Sequence, residues 1–235
     1  MNHLKFSQRG MTLIEILIAL ALSIIIILAM LRAFVTTGKV TAEASLGAKV
    51  DSNIMLGLIA TDRILQGVGY SINNHVPKAY AFSNDVSNIE YLVWKISDNK
   101  CRALRNYKAT DSNADNGLYI YGTEDTGYSC DDSLNKPDLT TNPAPTAERL
   151  IRIENTILTS GISDASNKIG AIKIELDTLN DSQRCMPFGA KYSLNTGEIA
   201  PVGGKYQVAI TVNTYAASTD TPKPIRNVTC LFNFK

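Results

Sequence analysis

Histidine is nearly absent from this chain of 235 residues, which has only His3 and His75. Acid–base catalysis near neutral pH most often uses an imidazole beside a nucleophile or a metal. Neither histidine lies in an H-E-x-x-H helix or near a G-x-S-x-G turn, so His75 reads as a surface loop residue and the chain as a non-enzyme. Cysteine is sparse as well. Cys101, Cys130, Cys185 and Cys230 contain no C-x-x-C pair, which removes metal-ligand spacing, and no metal or cofactor is expected. Charge of one sign is not in surplus: 23 Lys and Arg face 22 Asp and Glu, for a net +1. That balance argues against general nucleic-acid binding. Glycine and proline are missing from Met11 to Thr37, so nothing there interrupts a helix.

What fills that stretch is apolar. From Met11 to Leu31 every residue except Glu15 is apolar, Thr or Ser, and these 21 residues make roughly 31 Å of helix, enough to cross a hydrocarbon core. An ionised carboxylate at that depth costs about 2.5–3.5 kcal/mol on insertion scales. Glu15 therefore needs a partner or a task. A cleaved secretory signal would have a shorter apolar core followed by a small-x-small site, whereas Leu31-Arg32-Ala33-Phe34 follows here. A plain signal anchor, with Lys5 and Arg9 holding the N-terminus in the cytoplasm, fits the length but leaves Glu15 unexplained.

The run Arg9-Gly10-Met11-Thr12-Leu13-Ile14-Glu15 resembles the class III signal of type IV prepilins and type II secretion pseudopilins. The resemblance implies a prepilin peptidase that cuts between Gly10 and Met11 and methylates the new amine of Met11, a position where the family usually has Phe. It implies that Glu15, fifth in the mature chain, pairs with the N-terminal amine of a neighbouring subunit during assembly. It also implies an α+β type IV pilin fold, a long N-terminal helix packed on an antiparallel β-sheet head. The expected divisions are a leader at 1–10, a membrane and assembly half-helix at 11–37, an amphipathic half-helix at 38–70 and a β-rich head at 71–235.

Beyond Gly38, residues Leu46, Val50, Ile54, Leu58, Leu65 and Val68 recur at three, four or seven positions, the spacing of one buried helical face. Asp51, Asp62 and Arg63 fall off that stripe and are expected on the solvated side. Gly67-Val68-Gly69 should end the helix near Gln66. Strands are expected at Glu90–Ile96, Cys101–Asn106, Leu118–Gly122, Arg149–Ile153, Gly170–Leu176, Tyr206–Tyr215 and Arg226–Phe234, where β-branched and aromatic residues alternate between turn-forming clusters. In the best of them Val208, Ile210 and Val212 share a face. Together they suggest one antiparallel sheet on the half-helix. Thr110 to Ala147 reads as one or two long surface loops, partly tied down if Cys101 and Cys130 are bridged.

An even cysteine count in a translocated region suggests two disulfides and an oxidising compartment. Pairing by proximity would join Cys101 to Cys130 and Cys185 to Cys230, and the sequence does not choose among the three connectivities. Asp111-Ser-Asn113-Ala-Asp115-Asn-Gly117 alternates oxygen side chains, but Gly is seventh and the twelfth residue is Gly122, against the sixth-position Gly and twelfth-position Glu of a calcium loop. It reads as an Asx-rich turn. Tyr107, Tyr119, Tyr121 and Tyr128 read as strand positions against a core.

Leu58-Ile59-Ala60-Thr61-Asp62-Arg63-Ile64-Leu65-Gln66-Gly67-Val68-Gly69-Tyr70 is similar to the end of the long helix in PilW-type minor pilins, although Ser71-Ile72-Asn73 replaces the Cys that often follows. This resemblance implies a minor pilin that primes type IV pilus assembly, sits at the pilus tip and supports twitching motility, adhesion and DNA uptake. The implied partners are the prepilin peptidase, other minor pilins, the major pilin, the assembly platform, a tip adhesin and the inner membrane. The head would be periplasmic before assembly and on the cell surface afterwards. Two alternatives share these features: a GspJ-like minor pseudopilin of type II secretion, and a signal-anchored periplasmic binding module outside any filament.

Overall fold

The computed structural model describes residues 12–70, 76–107, 116–123, 125–141, 143–153, 172–180, 184–186, 203–214 and 223–234. The chain divides into two compact units, Met1–Leu46 and Gly47–Lys235, and one helix, α1 (Leu13–Gln66), contributes to both.

In the first unit every described side chain from Thr12 to Ser45 is exposed. An 18-residue window there has mean hydropathy 3.0 with none of it buried, so this helix is long and apolar enough to cross a membrane. Three of its hydroxyls do not need water. Ser23 donates to the Leu20 carbonyl at 2.9 Å, Thr36 to Arg32 at 2.9 Å and Thr41 to Thr37 at 2.8 Å, so each is satisfied within its own helix.

In the second unit the same helix turns one face inward. Val50, Ile54, Leu58 and Leu65 are buried at the expected spacing, joined by Gly47, Gly57 and Thr61. Gly57 is there because the β-sheet comes too close for anything larger: a Cβ would overlap the Leu150 carbonyl and the Ile151 side chain. The helix ends in two tight turns, Gly67 N–H to the Ile64 carbonyl at 3.2 Å and Val68 N–H to Leu65 at 3.1 Å.

Nine strands follow among the described residues: β1 (Lys78–Phe82), β2 (Asp85–Ser97), β3 (Lys100–Tyr107), β4 (Asn116–Tyr121), β5 (Tyr128–Ser129), β6 (Ala147–Ile153), β7 (Ile172–Thr178), β8 (Tyr206–Asn213) and β9 (Pro224–Leu231). They form two antiparallel sheets instead of the single one expected. The first has the order β1-β2-β3-β4-β6, with β5 added beside β3, and the second is β7-β8-β9. The result is an α+β layout, a long N-terminal apolar helix packed on antiparallel sheets, consistent with a type IV pilin fold.

All seven expected strands correspond to observed ones with shifted ends, and β1 and β5 are additions. The strand expected from Gly170 begins at Ile172, with Gly170 outside the described residues; the one expected to reach Phe234 stops at Leu231. The last difference has a local cause, because Phe234 N–H folds back to the Leu231 carbonyl at 3.3 Å. Lys-Ala-Tyr-Ala-Phe has too little β-branched character to stand out as a strand, yet the two-residue turn after Phe82 pairs it with β2. In β8, Val208, Ile210 and Val212 are all buried while Thr211 and Asn213 are not, as period-two alternation requires.

The two sheets meet through side chains. Asn88 on β2 donates to the Ile172 carbonyl at 3.2 Å and accepts the Ile174 N–H at 3.1 Å. Asn106 on β3 donates to the same Ile172 carbonyl at 2.8 Å and to the Asn88 carbonyl oxygen at 3.2 Å.

Candidate functional site

The sequence singles out residues at the two ends of α1. At the N-terminal end, Gly10 and Met11 lie outside the described residues. Thr12 precedes the helix, and its carbonyl accepts the N–H groups of Glu15 at 3.0 Å and Ile16 at 3.3 Å. Glu15 is thus in the first helical turn, its side chain exposed. A carboxylate there opposes the partial positive charge of the unsatisfied N–H groups. The spacing Thr12-x-x-Glu15 is also that of a capping box, a local reason for this pair that the reading of the apolar run passed over. From Thr12 to Leu31 Glu15 is the only ionisable side chain, so it is the one place where this segment can recognise charge.

The C-terminal end gives physical content to the Leu58–Tyr70 motif. Asp62 does not face solvent as expected. Its Oδ1 accepts from the Thr229 hydroxyl of β9 at 2.5 Å and its Oδ2 from Gln66 Nε2 at 2.7 Å. The periodicity misplaced it because a helix flanked by two sheets buries a wider arc than one stripe. Asp51 is half-buried too, whereas Arg63 is exposed. Asn233 then caps the helix, its Nδ2 donating to the carbonyls of Gln66 at 3.2 Å and Val68 at 2.8 Å, two groups that the helix itself leaves without partners. Gly69 has φ +84°, and a Cβ there would sit 2.7 Å from the Phe234 ring. Both the left-handed backbone and the close ring require glycine at this position. Tyr70, next in the motif, is 88% exposed.

The outer face of the first sheet holds the tyrosines. Tyr121 and Tyr128 are buried with Tyr91, Val93, Cys101, Ala103 and Leu134, while Tyr80 and Tyr119 pack at the margin. Tyr107 and Tyr119 meet edge to face at 5.9 Å. Arg105 lies over the rings of Tyr91 and Tyr107, at 4.9 and 4.6 Å, and donates to the Tyr121 hydroxyl at 3.2 Å. Burial is the main cause that pushes Tyr91 up to about 12, against a smaller opposing pull from Arg105, and it raises Tyr128 as well.

A strap crosses this face, in the stretch expected as surface loop tied down by a Cys101–Cys130 bridge. Leu134 and Pro137 are buried. The strap's carbonyls accept from Lys78 at Ser133 (2.8 Å), from the Tyr80 hydroxyl at Leu134 (2.8 Å) and from the Tyr128 hydroxyl at Asn135 (2.9 Å). Its N-terminal end is fixed by the Cys101–Cys130 disulfide and by an ion pair of 2.6 Å between buried Lys95 and exposed Asp132. The second disulfide joins Cys185 to Cys230. Asp111 and Asp115 of the Asx-rich stretch, and both His3 and His75, lie outside the described residues, while Gly117 belongs to β4. Among the described residues no cluster of three or more His, Cys, Asp or Glu could hold a metal.

Residues 5–31 match a family described as the prokaryotic N-terminal methylation motif. No curated protein and no solved structure matches the chain. The matched segment begins before Gly10 and Met11 and contains Glu15 and the exposed apolar part of the helix.

Proposed function

We propose that this type IV prepilin-like chain is a minor pilin of the PilW type, a structural subunit that helps to prime pilus assembly and occupies the pilus tip. The observation that carries the reading is Glu15, the lone ionisable side chain from Thr12 to Leu31 in the exposed apolar part of the helix and inside the methylation motif. In this reading prepilin peptidase removes residues 1–10 and methylates Met11. The helix holds the subunit in the inner membrane with its head in the periplasm. The assembly platform transfers it into a bundle of like helices, where its apolar surface is again kept from water.

The carboxylate then has its task. Opposite charges a few ångströms apart in a low-dielectric bundle attract far more strongly than in water, so the neighbour's methylated amine compensates Glu15 and sets the register between subunits. The twitching, adhesion and DNA-uptake roles follow from tip placement with other minor pilins and a tip adhesin. The head needs no chemistry for any of this.

The test is mass spectrometry of the mature N-terminus together with immunoblots of sheared filaments. The expected chain starts at methylated Met11, and Glu15→Ala is inserted and cleaved normally but depleted from filaments. A native chain that still starts at Met1 would overturn the reading. Deletion separates the pseudopilin alternative: loss of pili supports the minor pilin, whereas loss of protein secretion with pili intact supports the secretion system.

A further inference from the structure

The apolar run of α1 is shorter between its charges than it is overall. Glu15 and Arg32 bracket it, and between them Ile16 to Leu31 are sixteen residues without a charge, all of them helical and exposed. At 1.5 Å per residue that stretch is about 24 Å long, against about 30 Å for the hydrocarbon of a typical bilayer and the roughly 17–25 residues that span it. Its one polar side chain, Ser23, donates to the Leu20 carbonyl at 2.9 Å, so nothing inside the stretch resists lipid. The chain is not short of apolar residues to extend it. Ala33, Phe34 and Val35 follow directly, with Phe34 78% and Val35 55% exposed, and a neutral side chain at position 32 would join them to the run. Arg32 is what cuts the span at this end.

An ordinary bilayer is poorly accommodated by such a stretch. Tilting shortens the reach of a helix across the membrane, so it relieves a span that is too long and worsens one that is too short. Snorkelling serves the two charges unequally. Side chains on a helix lean toward its N-terminus, which Lys5 and Arg9 hold on the cytoplasmic side in the membrane reading. Glu15 therefore leans toward its own headgroups, whereas Arg32 leans toward the hydrocarbon and has to turn back to leave it. With Arg32 kept at the outer boundary by its charge, Glu15, seventeen residues earlier, lies about 26 Å away along the axis. In a hydrocarbon layer of about 30 Å one of the two charges is submerged. In a layer a few ångströms thinner both reach headgroups at once.

We infer that the membrane half of α1 is matched to a thin hydrocarbon layer of about 24–26 Å, and that Arg32 is the residue that sets this length. In a thicker bilayer the helix draws the two leaflets together around itself. The partner is the lipid bilayer, and what the helix distinguishes is the length of its acyl chains. The inference rests on the membrane half-helix of the reading above and adds a consequence for assembly: a helix that an ordinary bilayer fits poorly is the more readily transferred into a bundle of like helices.

The test reconstitutes the purified full chain into phosphatidylcholine vesicles of increasing thickness (dimyristoleoyl, dipalmitoleoyl, dioleoyl and dierucoyl) and measures the fraction that resists carbonate extraction. Insertion should be greatest in the two thinner lipids and lower by about tenfold or more in dierucoyl, the thickest. Arg32→Leu joins Ile16 to Val35, twenty uncharged residues and about 30 Å of helix, and should move the optimum to dioleoyl. Arg32→Lys, still charged, should keep the wild-type optimum. Position 32 is exposed, and non-reducing gels that show both disulfides check that the head folds in each variant. If wild type inserts equally at every thickness, or if Arg32→Leu raises insertion by the same factor in all four lipids, the match to a thin layer is overturned. If the chain resists extraction from none of them, the membrane reading itself falls. Filament content, on which the pilin reading is tested, is not measured here, so the two fail separately.

Discussion

The side chain of Asn88 stands in for a strand beside Asn106. With one amide it donates to the Ile172 carbonyl and accepts the Ile174 N–H, the two bonds that a neighbouring backbone would make, and Asn106 holds that amide from behind. Both asparagines are buried. Side chains of the other sheet thus close this edge of β7, in the place that a paired strand would otherwise take.

Asn88→Ala should therefore cost more than Asn106→Ala. The first leaves the buried Ile174 N–H without its partner, about 1–3 kcal/mol for the orphaned group, while after the second the Ile172 carbonyl still accepts from Asn88. Asn88→Asp should be worse still, since a carboxylate would face that carbonyl. Thermal unfolding of the full chain in detergent, without reductant, gives the order.

Gly57 and Gly38 should respond oppositely to alanine. At Gly57 the added methyl meets the Leu150 carbonyl and Ile151, and overpacking of about 1–3 kcal/mol outweighs the helix propensity gained. At Gly38 nothing lies within 4 Å of the new Cβ, so Gly38→Ala should be neutral or stabilising by up to about 1 kcal/mol. Melting temperatures of the two variants check the sign.

Lys95 is buried while Asp132 is open to water, with 4% and 82% of their side chains exposed. Asp132→Asn should destabilise more than the double change with Lys95→Met, because the single change leaves a buried ammonium without its carboxylate. Protease cleavage within the strap should follow the same order. A double-mutant cycle measures the coupling.

The tyrosines give the head an alkaline limit. An unfolded tyrosine ionises near pH 10, whereas burial holds Tyr91 neutral to about 12 in the fold. The stabilisation is complete below about pH 10 and is lost as pH rises from there through about 12, because the unfolded chain releases its proton first. Unfolding free energy should fall over that range, and Tyr91→Phe should flatten the fall. Absorbance titration of the phenolates, native against denatured, reads both.

How much of this was legible in the chain differs from element to element. The helix was readable to its last residue, Gln66, since 54 helical residues run without a proline up to the Gly67-Val68-Gly69 stop. β8 was readable because Val208, Ile210 and Val212 alternate with polar or small neighbours. β1 was not, because Lys-Ala-Tyr-Ala-Phe has little β-branched character and is a strand through its hairpin pairing with β2, and the Cys130 to Pro137 strap was not, because Lys78 and Tyr80, which hold it, lie 55 and 54 positions before the carbonyls they bind. Asp62 was misplaced for the same reason, since its hydrogen-bond partner Thr229 is 167 positions later.

The sequence by itself determined the apolar helix, the lone carboxylate at Glu15 and the positions of most strands, because each depends on the order of neighbouring residues. Tertiary structure alone decided the pairing of four cysteines, the split into two sheets, the Asn88 seal and the Asn233 cap. Those features arise where segments distant in sequence approach within hydrogen-bonding or van der Waals reach, and local periodicity carries no record of that approach.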